Sequence, residues 1–309
     1  MRVVFLGSGA FAIPSLEALI EAGHQVAALI TQPDRQKGRG RAVAPPPLKP
    51  VAEAHGISVL QPQRIRDPEA LETLRRLSPE IQVVAAYGQI LPRAVIDLPS
   101  RGTINVHASL LPVHRGAAPI QWAIVRGDAE TGVTTMQIDE GLDTGPVLLS
   151  RRTSIGPEET AVDLEPRLAR LGALVLVDTL RGMETGTVHP IPQDHARATL
   201  APALRKEDGR IRWERPAQEI ARRVRGFQPW PGSTTSIQGK GLKVLKARIG
   251  PPGPGEPGRI VGVDAHSLVV GCGEGSRLLL LEVQPESRRP MTAAAFAAGA
   301  HLDPGARFL

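Results

Sequence analysis

The residues best able to do chemistry stand at the end of an apolar, β-branched run, Thr103-Ile104-Asn105-Val106-His107, which continues through Ser109-Leu110-Leu111-Pro112 to Arg115-Gly116. In an extended strand successive side chains alternate between faces, so Asn105 and His107 emerge on one side and set an amide donor beside a titratable imidazole. Further along, Asp139-Glu140-Gly141-Leu142-Asp143-Thr144-Gly145 frames an acidic turn with two glycines, able to deliver one carboxylate to the strand tip. Together these groups can bind a developing oxyanion and move protons without a covalent intermediate, since no activated Ser, Cys or Lys is required. A lone histidine at a strand end is more often a packed structural residue. The amide two positions before His107 and the Ser-Leu-Leu-Pro segment after it shift the reading towards catalysis.

Such a tip needs a rigid mount, and the first half of the chain supplies the pattern for one. Val3–Leu6, Val26–Thr31, Ile57–Leu60, Ile81–Ala86 and Thr103–His107 read as strands, while Ile13–Glu21, Pro47–His55 and Ala70–Leu77 carry helix-spaced apolar residues. Continuous apolar strands alternating with helices predict an α/β fold, a Rossmann-like doubly wound and mostly parallel sheet covered on both faces. Ligands in such sheets bind at the carboxyl ends of the strands, where Asn105 and His107 stand. Gly7-Ser8-Gly9-Ala10-Phe11-Ala12 follows the first strand in the Gly-x-Gly-x-x-Ala pattern of dinucleotide sites. The second strand, however, ends Thr31-Gln32-Pro33-Asp34, with proline before the one residue that could meet a ribose, so a tight turn into the first helix explains the glycines better.

Residues 163–183 show Leu164, Leu168, Leu171 and Val175 on one helical face. The proline-containing stretch between Thr187 and Pro202 reads as an extended linker, giving expected domains of 1–187 and 206–309 joined by 188–205. Pro216 primes a helix with Ile220, Val224 and Phe227 on its apolar stripe, and Trp230 between two prolines is expected as a structural plug. Five short strand patterns follow, at 234–238, 242–249, 259–263, 267–271 and 276–283, which predict a small OB-like β-barrel, a scaffold often used for nucleic acids.

Length and composition agree: 309 residues suffice for two cores, built from Leu, Val, Ile and Ala because aromatics are only 3%. The single cysteine, Cys272, excludes an internal disulfide and a Cys-based zinc site, and no metal is expected. The short first strand is no signal peptide and no apolar run has the length of a membrane span, so a cytoplasmic protein with no membrane partner, acting as a monomer, is expected. Charge is unevenly spread. Residues 1–200 hold 20 Lys/Arg against 21 Asp/Glu, net −1, while residues 201–309 hold 17 against 10, net +7, which suggests a polyanionic partner for the C-terminal third.

The run Asn105-Val106-His107-Ala108-Ser109-Leu110-Leu111-Pro112, the block Arg115-Gly116-Ala117-Ala118-Pro119-Ile120-Gln121-Trp122 and Gly141-Leu142-Asp143-Thr144-Gly145 together resemble the 10-formyltetrahydrofolate-dependent formyltransferases. The resemblance runs over nearly the whole chain. It implies that 10-formyltetrahydrofolate is the co-substrate, lying beside the Asn-x-His strand in a cleft lined by Tyr87, Gly88, Gln89, Ile90, Leu91, Pro92, Ser109, Leu110, Leu111, Pro112, Gly141 and Leu142. It also implies that Asn105, and His107 when protonated, stabilise the oxyanion while Asp143, paired with His107, relays the amine's proton directly or through water to the departing folate nitrogen, and that the acceptor is the α-amine of methionine on initiator tRNA.

The long loop from Thr31 to Pro50 carries Arg35, Lys37, Arg39, Arg41 and Lys49 against one acid, Asp34. The resemblance implies that its Gly-Arg-Gly turn reaches the acceptor end of the tRNA. Lys206, Lys243 and Lys246 are the candidate tRNA contacts of the C-terminal domain. Three rivals stay open: a sister formyltransferase acting on a sugar or nucleotide amine, a formyltetrahydrofolate hydrolase, and a non-catalytic tRNA-binding protein. The first two leave the basic regions unexplained, and the third leaves Asn105, His107 and Asp143 unexplained.

Overall fold

A computed structural model of the chain describes residues 1–37 and 42–309. In order, the elements of its first part are β1 (Arg2–Gly7), α1 (Ile13–Glu21), β2 (Gln25–Ile30), β3 (Arg35–Lys37), β4 (Ala42–Ala44), α2 (Leu48–Ala54), β5 (Val59–Leu60), α3 (Pro68–Leu77), β6 (Ile81–Ala85), α4 (Arg93–Ile96), β7 (Thr103–His107), α5 (Pro119–Arg126), β8 (Glu130–Gln137), β9 (Val147–Ser154) and α6 (Ala161–Thr185). Val3, Val4, Phe5 and Leu6 of β1 are fully buried on both faces, as an interior parallel strand requires.

The sheet runs β5-β2-β1-β6-β7-β8-β9, parallel from β5 to β7 and antiparallel across β7/β8 and β8/β9. The parallel strands were legible as apolar runs. The antiparallel pair β8 and β9 was not, because Thr131, Thr134 and Thr135 are buried and β9 ends in the exposed Arg151 and Arg152, which breaks any simple pattern. Helix α5 was likewise missed, while β5 is shorter than its expected strand. Gly132 of β8 has a packing reason: a Cβ there would stand 2.1 Å from the Arg151 carbonyl oxygen and 2.6 Å from Cδ2 of Leu110.

Contacts divide the chain into two units, Met1–Pro119 with Glu130–Ser154 and Glu165–Ala201, and Ile120–Ala129 with Ile155–Leu164 and Pro202–Leu309. The boundary differs from a cut at residue 187. Residues 188–201 are tied to the first unit by backbone hydrogen bonds, Val147 with Ile191 in both directions at 2.8 Å, Arg115 N–H to Thr199 O at 2.8 Å and Ala201 N–H to Arg115 O at 2.7 Å. A proline-rich stretch lacking periodicity looks like a linker even when several of its backbone groups pair with the body of the domain.

The second unit contains α7 (Ala217–Gly226), β10 (Ser233–Ile237), β11 (Lys240–Ile249), β12 (Ile260–Val263), β13 (Leu268–Gly271), β14 (Arg277–Pro285), β15 (Met291–Thr292) and α8 (Ala293–Gly299). Its sheet is wholly antiparallel, in the order β10-β11-β14-β13-β12 with β15 on β14. Ile220 and Val224 of α7 join Val244, Leu278, Leu280 and Val283 in one core, where Trp213 and Phe308 stack at 5.3 Å. Residues 305–309 bridge both sheet edges: Ile237 pairs with Phe308, and Arg259 with Arg307. Trp230 is 53% exposed, so it is not the buried plug its flanking prolines suggested.

Candidate active site

Loops leave the carboxyl ends of three adjacent parallel strands, β1, β6 and β7, and those after β1 and β6 are hydrogen-bonded to one another. The N–H groups of Ser8 and Gly9 both donate to Ala86 O, at 3.2 and 3.3 Å, and Ser8 Oγ accepts from Gln32 N–H at 3.0 Å. The Gly-x-Gly segment is thus stitched to the ends of β2 and β6. Asp34 accepts from Lys49 and from Gln61, the latter at 2.6 Å, and these bonds, the Gln61 one foremost, hold its carboxyl below the usual range. Its carboxylate belongs to a local brace.

On β7 the strand alternation holds. Val106 faces α6, within 3.0 Å of where a Cβ on Gly172 would stand, and Asn105 and His107 share the other side. Asn105 is half-buried and its amide has no hydrogen-bond partner among the described residues. His107 is 6% exposed, with Nε2 2.9 Å from His114 O and Nδ1 3.7 Å from Asp143 Oδ2. A carbonyl oxygen only accepts, so Nε2 carries a proton and Nδ1 is the atom free to take or give one on the Asp143 side. His114 turns its carbonyl inward from a left-handed backbone, φ 62°, and its N–H donates to Thr199 Oγ1 at 2.9 Å.

Asp143 is also left-handed, φ 52°, and its Oδ2 accepts from Gly116 N–H at 2.8 Å. The turn before it is self-braced, with Gly141 N–H and Thr144 Oγ1 both donating to Asp139 Oδ1 at 3.0 and 2.6 Å. Gly116 is required where it stands: φ is 119°, and a Cβ would lie 2.7 Å from Ala201 O.

The residues expected to line the cleft divide sharply. Tyr87 is 2% exposed and packs among Val4, Leu6, Ile30 and Val95, so its ring is core and not lining. Its hydroxyl is buried without a partner, and desolvation pushes the phenol up to about 12. Only the Tyr87 carbonyl faces the loops, accepting from Gln32 Nε2 at 3.1 Å. Gln89 is structural too, since Oε1 accepts from Ile65 N–H at 2.8 Å and Nε2 donates to Gln63 O at 3.3 Å. Ser109 is fully buried, its Oγ donating to Val113 O at 2.5 Å. By contrast Ile90 is 94% and Leu142 62% exposed, while Leu91, Pro92, Leu110, Leu111 and Pro112 are half-buried, and Gly88 and Gly141 are turn residues beside them. Of the basic candidates, Arg35, Lys206, Lys243 and Lys246 are exposed, and Lys37 is placed by its backbone in β3. Arg39 and Arg41 lie outside the described residues.

Gln193 escaped the sequence reading altogether. It is 7% exposed; its Oε1 accepts from Nε and Nη2 of the buried Arg115 at 3.1 and 2.7 Å, and its Nε2 donates to Asp143 O at 2.9 Å and Gly145 O at 2.7 Å. No periodicity or motif marks it, and the stretch around it looks like a spacer. Among the described residues no group of three His, Cys, Asp or Glu side chains could hold a metal, and no helix is long and apolar enough to cross a membrane.

At the end of this mixed α/β sheet an amide, an imidazole and an opposed carboxylate are chemically able to bind a developing oxyanion and move protons without a covalent intermediate. The formyl transferase family matches residues 1–180 and the formyl transferase C-terminal domain residues 203–301. A methionyl-tRNA formyltransferase of Solibacter usitatus is 54% identical over 303 residues, covering 98% of this chain and 96% of its own. Another, from Geobacter metallireducens, is 49% identical over 307 residues, covering 99% and 98%. The N-formyltransferase of Helicobacter canadensis, solved with folinic acid and dTDP-3-aminofucose, shares the fold with a TM-score of 0.68 at 18% identity, covering 91% of this chain and 99% of its own. The chain belongs to the formyl transferase family.

Proposed function

We propose that the chain transfers the formyl group of 10-formyltetrahydrofolate to the α-amine of methionine on initiator tRNA. Relatives at about half identity over nearly the full length bear that activity in their names, and both family domains are present. The observation that carries the chemistry is the convergence of Asn105, His107 and Asp143, with His107 Nδ1 facing the Asp143 carboxylate at 3.7 Å and its Nε2 already committed.

The amine attacks the formyl carbon, and the carbonyl electron pair moves to its oxygen. The Asn105 amide N–H donates to that oxyanion, an interaction worth about 3 kcal/mol in the transition state. Because Nε2 is tied to His114 O, His107 contributes through Nδ1, taking the amine's proton together with Asp143. As the oxyanion collapses, the bond from the formyl carbon to N10 breaks and N10 receives that proton, leaving N-formylmethionyl-tRNA and tetrahydrofolate. The exposed Ile90 and Leu142, with the Leu110–Pro112 segment, offer an apolar wall for the folate ring, while backbone groups near Gly88 and Gly141 read its polar edge.

Residues 202–309 serve tRNA binding. The +7 charge of residues 201–309, the exposed Lys206, Lys243 and Lys246, and the bridges of 305–309 to both sheet edges support a basic, closed, OB-like barrel. In the first unit, Arg35, Lys37, Arg39 and Arg41 of the loop after β2 are the further candidate contacts to the acceptor end.

The test offers 10-formyltetrahydrofolate with charged initiator tRNA, free methionine, a sugar amine and water as competing acceptors. Formylation of the charged tRNA alone is expected, with a rate at limiting tRNA that falls as salt rises. Faster transfer to the sugar amine, or hydrolysis exceeding transfer, would replace the reading with one of its rivals.

A further inference from the structure

We propose that Gln193 is a positioning residue for Asp143, so that the segment around it is a working part of the reaction site. The inference rests on the role given to Asp143 above. A left-handed non-glycine backbone persists only where its surroundings over-determine it, and Asp143, at φ 52°, is such a residue. Its carboxylate is held from one side by Gly116 N–H, and its carbonyl from the other by Gln193 Nε2.

The Gln193 amide is saturated. Its oxygen takes two N–H groups of Arg115, and its nitrogen gives its two protons to the carbonyls of Asp143 and Gly145. Arg115 is itself 6% exposed and also meets His195 Nδ1 at 3.1 Å, so the anchor is rigid. A guanidinium bound to the amide oxygen polarises it and strengthens donation from the nitrogen, which favours the two carbonyls further.

No other side chain of this size can replace it. Glutamate keeps the Arg115 contacts but turns an acceptor onto two carbonyl oxygens. Asparagine is one carbon too short to span both sides, and methionine offers no hydrogen bond at all. Loss of the clamp frees the 141–145 loop to leave its left-handed turn, which carries Oδ2 away from Gly116 and His107 and spoils proton transfer while leaving the folate wall in place.

The experiment uses the full chain with Gln193→Glu, Gln193→Met and Gln193→Asn, each also combined with Asp143→Ala. Turnover on charged initiator tRNA, KM for 10-formyltetrahydrofolate and amide hydrogen exchange are measured. Each single variant is expected to lose kcat by about tenfold or more with KM changed less than about threefold. Exchange should rise in the segment containing 139–147 and stay unchanged in β1 and β6. In the Asp143→Ala background the Gln193 substitutions should change kcat by less than about twofold, since a residue acting only through Asp143 has nothing left to act on. Normal kcat in the soluble Gln193 variants would overturn the proposal, as would losses that multiply in the double variants. Near-normal turnover in Asp143→Ala alone would remove the Asp143 reading itself, and the inference with it. Should the Met variant fail to fold, the Glu and Asn variants carry the same test.

Discussion

Loop 86–92 leaves the end of β6 and loop 108–116 the end of the adjacent β7, and both carry residues able to hydrogen-bond or titrate. In the first, Ala86 at φ 47° and Gly88 at φ 83° bracket Tyr87 and swing its ring into the core, while Gln89 turns back to brace Ile65 and Gln63. In the second, the strand itself delivers Asn105 and His107 before the chain turns, and the turn then supplies His114 O to fix the imidazole. Side-chain direction is set by the pleat within a strand, but beyond its end by φ values that L-residues seldom adopt. A polar residue one position past a strand is therefore as apt to brace the loop as to meet a ligand.

The sharpest separation of the two loops lies in turnover. His107→Ala should lower formyl transfer by about a hundredfold or more, as expected for loss of a proton-transfer group, with an unchanged thermal midpoint or a small shift. Turnover within about threefold of normal would place His107 with Tyr87 and Gln89 among structural residues.

That contrast also explains what the sequence disclosed. The strand that carries Asn105 and His107 was readable because β7 is a regular apolar run, and the turn that carries Asp143 because two glycines frame it. Helix α7 and strands β10 to β14 followed from apolar spacing and turn residues, whereas β15 and α8 did not. The antiparallel β8 and β9 were hidden by buried threonines and exposed arginines, and Gln193 by a stretch whose backbone pairs without periodicity. Tyr87 entered the expected lining only through the resemblance, and nothing local revealed the left-handed Ala86 that turns its ring into the core.

Gln89→Ala should act on stability and hardly on chemistry. It removes the acceptor for the buried Ile65 N–H, a loss of about 1–2 kcal/mol in denaturant melts, with kcat within about threefold of normal. A large drop in kcat at unchanged stability would move Gln89 into the substrate site.

The smallest expected effect belongs to Tyr87. It is the single tyrosine of the chain, so phenolate absorbance reads it alone. Burial pushes its folded value up to about 12, whereas the unfolded phenol ionises at about 10, so this group leaves stability independent of pH below about pH 10 and lowers it as pH rises to about 12, where the unfolded chain ionises first. The phenolate absorbance should therefore appear in the folded protein only at strongly alkaline pH, and at about pH 10 to 11 only on unfolding. Tyr87→Phe should leave turnover unchanged and stability equal or slightly higher, because the hydroxyl removed has no partner. Titration near the ordinary value in the folded protein would return the ring to the cleft.

The most direct measurement of the central claim, that Asn105 and Asp143 act on one reacting carbonyl with His107 between them, is a single-turnover double-mutant cycle on charged initiator tRNA. Asn105→Ala and Asp143→Ala should each cost about a hundredfold, and the double variant far less than the product of the two, because groups that act as a unit are not additive. Near-normal single-turnover rates in Asp143→Ala, or losses that multiply in full, would contradict it.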